Sequence, residues 1–377
     1  MMFKHFLIIL AMLSTPFKLM AETIKDSITM SYSYYSDNVG VEVKSPFISL
    51  QRRLNEKWGM TASFQADAIS AASMRRGNGN VTDTVIMDAV SGASGRAGFD
   101  DLRVAPTVSF TYEEDDLVWN FGMYYSNEVD YETAAGFMEI SSGFNDANTV
   151  LSLGGSYETA KWEPIINRAL DEDSKTQRQI NASVMQLLDD SSYLQFRGSY
   201  IVQDGFLSSP YHYLIGDDFA QFDRYPDTRT STALAVQYVT SPAEATSVHV
   251  NYRYYEDDWE ITSHTLEGNV FYDVMENLTL GARGRYYMQD AAAFAKGLDN
   301  YSVDDDYIVS DYKFSEFDTI TIGASLHYKP GFFEDEAIAL QISYDYYTTD
   351  DNAYIKNWYG ASKIEAEMVT FALTYDF

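Results

Sequence analysis

The chain has 377 residues, no cysteine and a formal charge of −30, from 26 basic against 56 acidic side chains. So acidic a chain excludes nucleic-acid binding by counterion release. The missing thiols exclude a disulfide framework, a thiolate metal site and a Cys nucleophile. Thirty Tyr, 22 Phe and only 8 Pro favour many strands with aromatic belts, a bias that β-rich soluble proteins share.

At the N-terminus, Lys4 and His5 precede the apolar run from Phe6 to Leu13, followed by Pro16 and Leu19-Met20-Ala21 before Glu22. A charged start, an apolar core too short to cross a bilayer and a small residue at the cut describe a secretory signal. Residues 1–21 are therefore expected to be a signal peptide and 22–377 the mature chain, although Lys18 and Leu19 depart from the ideal cut site. No later apolar run approaches the roughly 18 residues a transmembrane helix needs.

Downstream, period-two alternation breaks the chain into strand segments separated by turn chemistry. Tight connections are expected at 54–57, 113–116, 145–148, 189–192, 241–244, 275–277 and 331–336. Longer stretches rich in Gly, Asp and Tyr fall at 70–98, 161–176, 204–229, 291–315 and 350–362, with shorter loops at 37–40 and 127–133. Short and long connections alternate. If the strands begin in the periplasm, every tight turn lands there and every long loop lies outside the cell. About sixteen strands result, the even number a single-chain outer-membrane barrel requires.

The faces agree from strand to strand. Leu117, Trp119, Phe121 and Met123 share one side, with Asn120 and Gly122 on the other. Leu278, Leu280, Ala282 and Tyr286 oppose Thr279, Arg283, Arg285 and Gln289. Ile320, Ile322, Ala324, Leu326 and Tyr328 oppose Thr319, Thr321, Ser325 and His327, and Ile338, Leu340, Ile342 and Tyr344 oppose Gln341, Ser343 and Asp345. Charges are expected off the lipid side, because an Arg there costs about 2–4 kcal/mol at mid-depth.

The last strand continues the pattern. Val369, Phe371, Leu373, Tyr375 and Phe377 fall on one side, and Thr370, Ala372, Thr374 and Asp376 on the other. An alternating strand ending on an aromatic resembles the signal read by the barrel-assembly machinery, with Phe371, Leu373, Tyr375 and Phe377 as its residues. An edge strand of a soluble sandwich is the alternative for this stretch taken alone. The two ends and the turn parity together select the fold: an all-β, antiparallel, up-and-down transmembrane barrel in the outer membrane, facing lipid and lipopolysaccharide.

Several phrases stand out as a set: Asp88-Ala-Val-Ser-Gly-Ala-Ser94, Asp204-Gly-Phe-Leu-Ser-Ser-Pro-Tyr211, Arg224-Tyr-Pro-Asp-Thr-Arg229, Arg285-Tyr-Tyr-Met-Gln-Asp-Ala-Ala292 and Ser310-Asp-Tyr-Lys-Phe-Ser315. The most specific is Tyr252-Arg-Tyr-Tyr-Glu-Asp-Asp-Trp-Glu-Ile-Thr-Ser-His-Thr265. Together they resemble an uncharacterised family of Gram-negative outer-membrane proteins, classed only as a domain of unknown function. The resemblance implies a barrel and an envelope location and brings no activity.

The chemistry-bearing residues gather on the inward faces. Val248, Val250, Tyr252 and Tyr254 are expected to face lipid, and His249, Asn251 and Arg253 the lumen. The next strand sends Ser263, Thr265, Glu267 and Asn269 inward, and other strands add Arg197, Arg283 and Arg285. Arg197, Arg253, Glu267, Arg283 and Arg285 are thus the candidate constriction. Two readings fit this set: a charged ring that selects small polar or ionic solutes, or a salt-bridged plug that fills the lumen and fixes register in a barrel acting with a periplasmic partner.

The loop phrases around His212 and Arg224–Arg229 fit either a lid over the barrel mouth or a loop packed on its neighbours. The small-residue stretch Met87–Arg96 suits a tuck into the mouth and lacks the Gly-Lys-Ser/Thr ending of a phosphate loop. Acidic runs at Asp304-Asp305-Asp306, Asp217-Asp218, Glu256-Asp257-Asp258 and Asp350-Asp351 suit solvated loops, or loosely held Ca²⁺ or Mg²⁺ bridging to lipopolysaccharide. No cofactor is expected. A hydrolase would need a pair such as His249 with Glu267; adjacent Ser263 and His264 point to opposite faces. The chain is therefore expected not to be an enzyme.

Overall fold

The computed structural model describes residues 26–71, 74–75, 85–86, 99–163, 173–209, 212–215, 220–330 and 338–377. Sixteen antiparallel strands close into one barrel in chain order. They are β1 Ser27–Asp37, β2 Val41–Arg53, β3 Trp58–Ala71, β4 Phe99–Glu114, β5 Leu117–Asn127, β6 Tyr131–Phe144, β7 Thr149–Trp162 and β8 Asp173–Asp189. The second half comprises β9 Ser192–Gly205, β10 Thr228–Ala243, β11 Thr246–Asp257, β12 Thr262–Met275, β13 Leu278–Gln289, β14 Phe317–Tyr328, β15 Ile338–Thr349 and β16 Glu365–Asp376. The ring is sealed by β1 against β16, with Ser27 opposite Asp376 and Tyr35 opposite Met368. Closure leaves no unpaired edge, which a lipid environment requires. Inside this seam, small hydroxyls pair across the strands: Thr29 with Thr374 at 3.0 Å and Ser33 with Thr370 at 2.8 Å.

The expected signal segment 1–21, Met87–Arg96, Asp217-Asp218 and the turn at 331–336 lie outside the described residues. The other tight turns are present, with one shift. β10 runs on to Ala243, with an irregular register between Thr240 and Ala243, so its turn falls at 244–245. The turn after β4 is only two residues, and Asp115 adopts a φ of 51° there, the left-handed conformation that two-residue hairpins demand and Asp tolerates.

Alternation along each strand sorts the side chains as expected. Phe196, Leu266 and Ile322 stand on the outer face, each more than half exposed. Their strand neighbours Arg197, Thr265 and Thr321 face inward and are half-buried or buried. Phe371, Tyr375 and Phe377 also stand outward on β16, and the Phe377 ring lies 5.3 Å beneath the Arg52 guanidinium. The expectation that charges avoid the outer face needs correction at both rims: Arg52 stands outward at the tight-turn end of β2. Lys44, Lys161 and Arg178 are exposed on outward positions near the long-loop ends of β2, β7 and β8. There the strands leave the hydrocarbon band, and a cation meets headgroups and water rather than acyl chains.

The end of the barrel opposite the tight turns carries a cap built from loops. Val39, Leu214, Tyr225, Trp259, Ile261, Ile308, Val309, Phe314 and Ile355 form one buried apolar cluster. It draws on the connections after β1, β9, β11, β13 and β15. The last of these contains a short helix, α1 (Ala353–Tyr359). Asn352 caps α1 by accepting from the backbone N–H of Tyr354 and Ile355, and Gly360 ends it at a φ of 74°. Polar bonds tie the loops together. Gln289 Nε2 donates to the carbonyls of Lys313 and Ser315. Arg224 donates to the backbone carbonyls of Asp305 and Asp306 rather than to a neighbouring carboxylate. His212 is thus a packed part of the cap: it is buried and stacks on Trp358, ring centres 4.6 Å apart.

Asp223 is the cap's buried acid. It accepts from the Ser310 N–H and hydroxyl, the latter at 2.7 Å, and from the Tyr225 hydroxyl at 2.6 Å. Burial pushes its carboxyl above the ordinary Asp value of 3.8, against the opposing pull of His212 and of these hydrogen bonds. An acid whose folded-state pKa is raised holds its proton more tightly in the folded state, so it contributes stability at low pH and loses it as pH climbs. Cap stability is therefore expected to fall from pH 3.8 upward, by up to about 1.4 kcal/mol per pH unit until the raised value is passed. Amide exchange at Ile308 and Ser310 measures this, and Asp223→Asn should flatten the slope. An identical slope in the variant assigns the pH dependence to another group.

Candidate functional site

Beneath the cap, inward residues of β10 to β15 form a charged shelf. Arg283 on β13 is its centre. It donates to Glu267 on β12 at 3.0 Å and to Asp345 on β15 at 3.3 Å. Asp345 reaches across β14 because Gly323, directly opposite it, has no side chain; a Cβ there would collide with the Asp345 carboxylate. Glu267 also accepts from Asn269 at 3.1 Å.

Two residues further toward the cap, Arg285 faces inward from β13. Glu267 is its directly opposite neighbour on β12, yet that carboxylate turns to Arg283. The Nε of Arg285 is left buried without a hydrogen-bond partner. Arg253 on β11 lies diagonally across β12, with its guanidinium 5.4 Å from the centre of the Tyr255 ring. Above them runs a tyrosine layer. Tyr255 donates to Asp257 at 2.8 Å and Tyr287 to Gln289 at 2.6 Å, and these rings with Tyr347 pack against the cap cluster. At the cap boundary Arg229 is clamped by Asp257 and covered by the Trp259 ring, 4.5 Å from its centre.

Four of the five expected residues, Arg253, Glu267, Arg283 and Arg285, therefore meet on adjoining strands. Arg197 is at the same level, because it pairs with Ala235 and Ala235 pairs with Arg253. It is two strands away and bonded elsewhere, donating to Gln195 at 2.7 Å and Gln237 at 2.9 Å. The His249–Glu267 pair that a hydrolase would need does not form. His249 lies opposite Asn269, bonds the Ser247 hydroxyl at 3.1 Å and packs on Phe271. His264 faces outward as expected and bonds the Tyr252 hydroxyl at 2.7 Å.

Sequence reasoning placed Asp345 inward without assigning it to the shelf. It also missed the tyrosine layer and a second inward pair on the far wall. There Arg103 on β4 donates to Asp67 on β3 at 2.6 Å, both side chains more than nine-tenths buried. The signal for that pair was available: opposite charges at inward positions of strands joined by one long loop. Among the described residues, no group of three His, Asp or Glu is placed to hold a metal ion. In the acidic runs Asp305 pairs with Lys296 at 2.6 Å and Asp257 with Arg229.

A family described as a protein of unknown function (DUF3570) matches residues 9–172 and 166–375. The chain belongs to this DUF3570 family. No curated protein matches it. Among solved structures, a bacterial polysaccharide outer membrane secretin is similar at a TM-score of 0.51 and 9% identity, covering 94% of this chain and 98% of that one. An OccD1 (OprD) variant gives 0.47 at 10% identity, covering 96% and 97%. The outer membrane protein opdK of Pseudomonas aeruginosa gives 0.45 at 8%, covering 94% and 99%. At such identities the likeness to the secretin speaks for the fold alone: a closed sixteen-strand barrel of the outer-membrane type.

Proposed function

We propose that this DUF3570 protein is an exported outer-membrane barrel that passes or binds a small polar or ionic solute. On this reading residues 1–21 are removed. Phe371, Leu373, Tyr375 and Phe377 engage the assembly machinery, the tight turns face the periplasm and the cap faces outward. The outer wall meets lipid and lipopolysaccharide. The carrying observation is the shelf of Arg253, Glu267, Arg283 and Arg285, whose charges point where only the contents of the lumen meet them. Charged rings at a narrowing set ion preference.

One observation favours a second reading, a plugged barrel acting with a periplasmic partner. The apolar core of the cap is continuous with the tyrosine layer, and Arg283 is held by two carboxylates. Planar-bilayer recording separates the two. The channel reading expects conductance steps from the refolded protein, and Arg283→Ala should shift the reversal potential toward cation preference. The plugged reading expects no steps and a variant altered only in unfolding midpoint. A hydrolytic role finds no support in the geometry of His249.

A further inference from the structure

We propose that Arg285, with Arg253 beside it, forms a binding site for a small monocarboxylate in the lumen under the cap. The inference deepens the channel reading and rests on it for the ligand's route, although binding itself is measurable without conduction. Inward charges on β10 to β15, above the turn-end rim, are Arg229, Arg253, Arg283 and Arg285 against Asp257, Glu267 and Asp345. That leaves one positive charge in excess, inside a chain whose formal charge is −30. In the cap above, Lys313 faces Asp311 at 3.7 Å. Asp257 is committed to Arg229, and Glu267 and Asp345 to Arg283. None of these carboxylates hydrogen-bonds Arg285, whose Nε is buried and unbonded.

A guanidinium is a planar fork that matches a carboxylate with two parallel bonds. Leaving such a donor buried and unsatisfied is costly, which is why buried donors in folded proteins have partners. Arg253 pairs with Thr265 and Arg285 with Glu267, two residues apart on the same face of the intervening β12, so an anion between them meets both guanidiniums. A single excess charge fits a monoanion better than a phosphate dianion. The Tyr255, Tyr287 and Tyr347 rings roof the site and give an apolar wall to the ligand's hydrocarbon end.

The test uses the full mature chain, refolded in detergent, with sodium acetate as probe and saturation-transfer difference NMR as readout. Acetate should show transfer that inorganic phosphate displaces poorly. Arg285→Gln should weaken binding roughly tenfold, which is about 1.4 kcal/mol. Arg253→Gln should weaken it several-fold, so either variant serves if the other fails to refold. Arg52→Gln, which removes a cation from the outer wall, should leave binding unchanged. Equal acetate binding in wild type and both shelf variants overturns the site, as does phosphate outcompeting acetate. Acetate binding lost with Arg285 in a barrel that gives no conductance steps upholds the site and rejects only the channel reading.

Discussion

Arg103→Ala is expected to destabilise the folded barrel by about 3–5 kcal/mol, the cost of leaving the partner of a buried ion pair uncompensated. Arg103 and Asp67 sit on neighbouring strands at directly opposite positions, and both side chains are more than nine-tenths buried. Arg103 also reaches the Tyr124 hydroxyl at 3.5 Å, so its removal strips a second contact from the same patch. Urea unfolding followed by Trp fluorescence, with the gel-mobility shift of boiled against unboiled samples, reads the loss. The double variant Asp67→Leu/Arg103→Met decides the interpretation. Removing both charges with volume retained should recover most of the stability, because desolvating an ion pair offsets much of its attraction. If the double variant is as unstable as the single one, the pair acts through packing rather than charge.

That pair marks where sequence reading stops. β13 and β14 were legible because an outward apolar residue alternates with a polar one along nearly their whole length, and Arg283 and Arg285 inherited their inward placement from it. A one-residue slip would have thrown both arginines onto lipid, so register and site were read in one step. Partnership was not legible. Glu267 is directly opposite Arg285 yet bonds Arg283, and Asp345 joins them only because Gly323 leaves room across a whole strand. Such choices depend on side-chain reach, which periodicity does not encode.

The cap was illegible for a different reason. Ile308, Val309 and Ile355 are its most buried apolar residues, but Ile308 and Val309 are one adjacent pair among Asp, Ser and Tyr, and Ile355 lies in a helix of seven residues, each too short to show a period. Only α1 left a local trace. Asn352 at its start and Gly360 at its end are a cap pair around seven residues, inside a stretch otherwise read as loop.

Ile322→Arg should cost about 2–4 kcal/mol, whereas Tyr328→Arg on the same strand and face should cost no more than about 1 kcal/mol. Ile322 is the sixth of the twelve residues of β14 and is 58% exposed on the outer wall. Tyr328 is the last residue of that strand, at the tight-turn rim. In a bilayer the two positions lie at different depths: one guanidinium must be dragged into acyl chains, while the other snorkels to the headgroups. In water the same substitutions would be ordinary surface changes, each within about 0.5 kcal/mol of neutral. Refolding both variants into lipid vesicles and comparing urea midpoints separates these cases. A depth-dependent penalty means that lipid solvates this face, and with it the side of each strand on which Arg253, Arg283 and Arg285 do not lie. Equal and small penalties would turn the outer wall into a water-facing surface, and the inward shelf would then be the core of a soluble barrel rather than the lining of a pore.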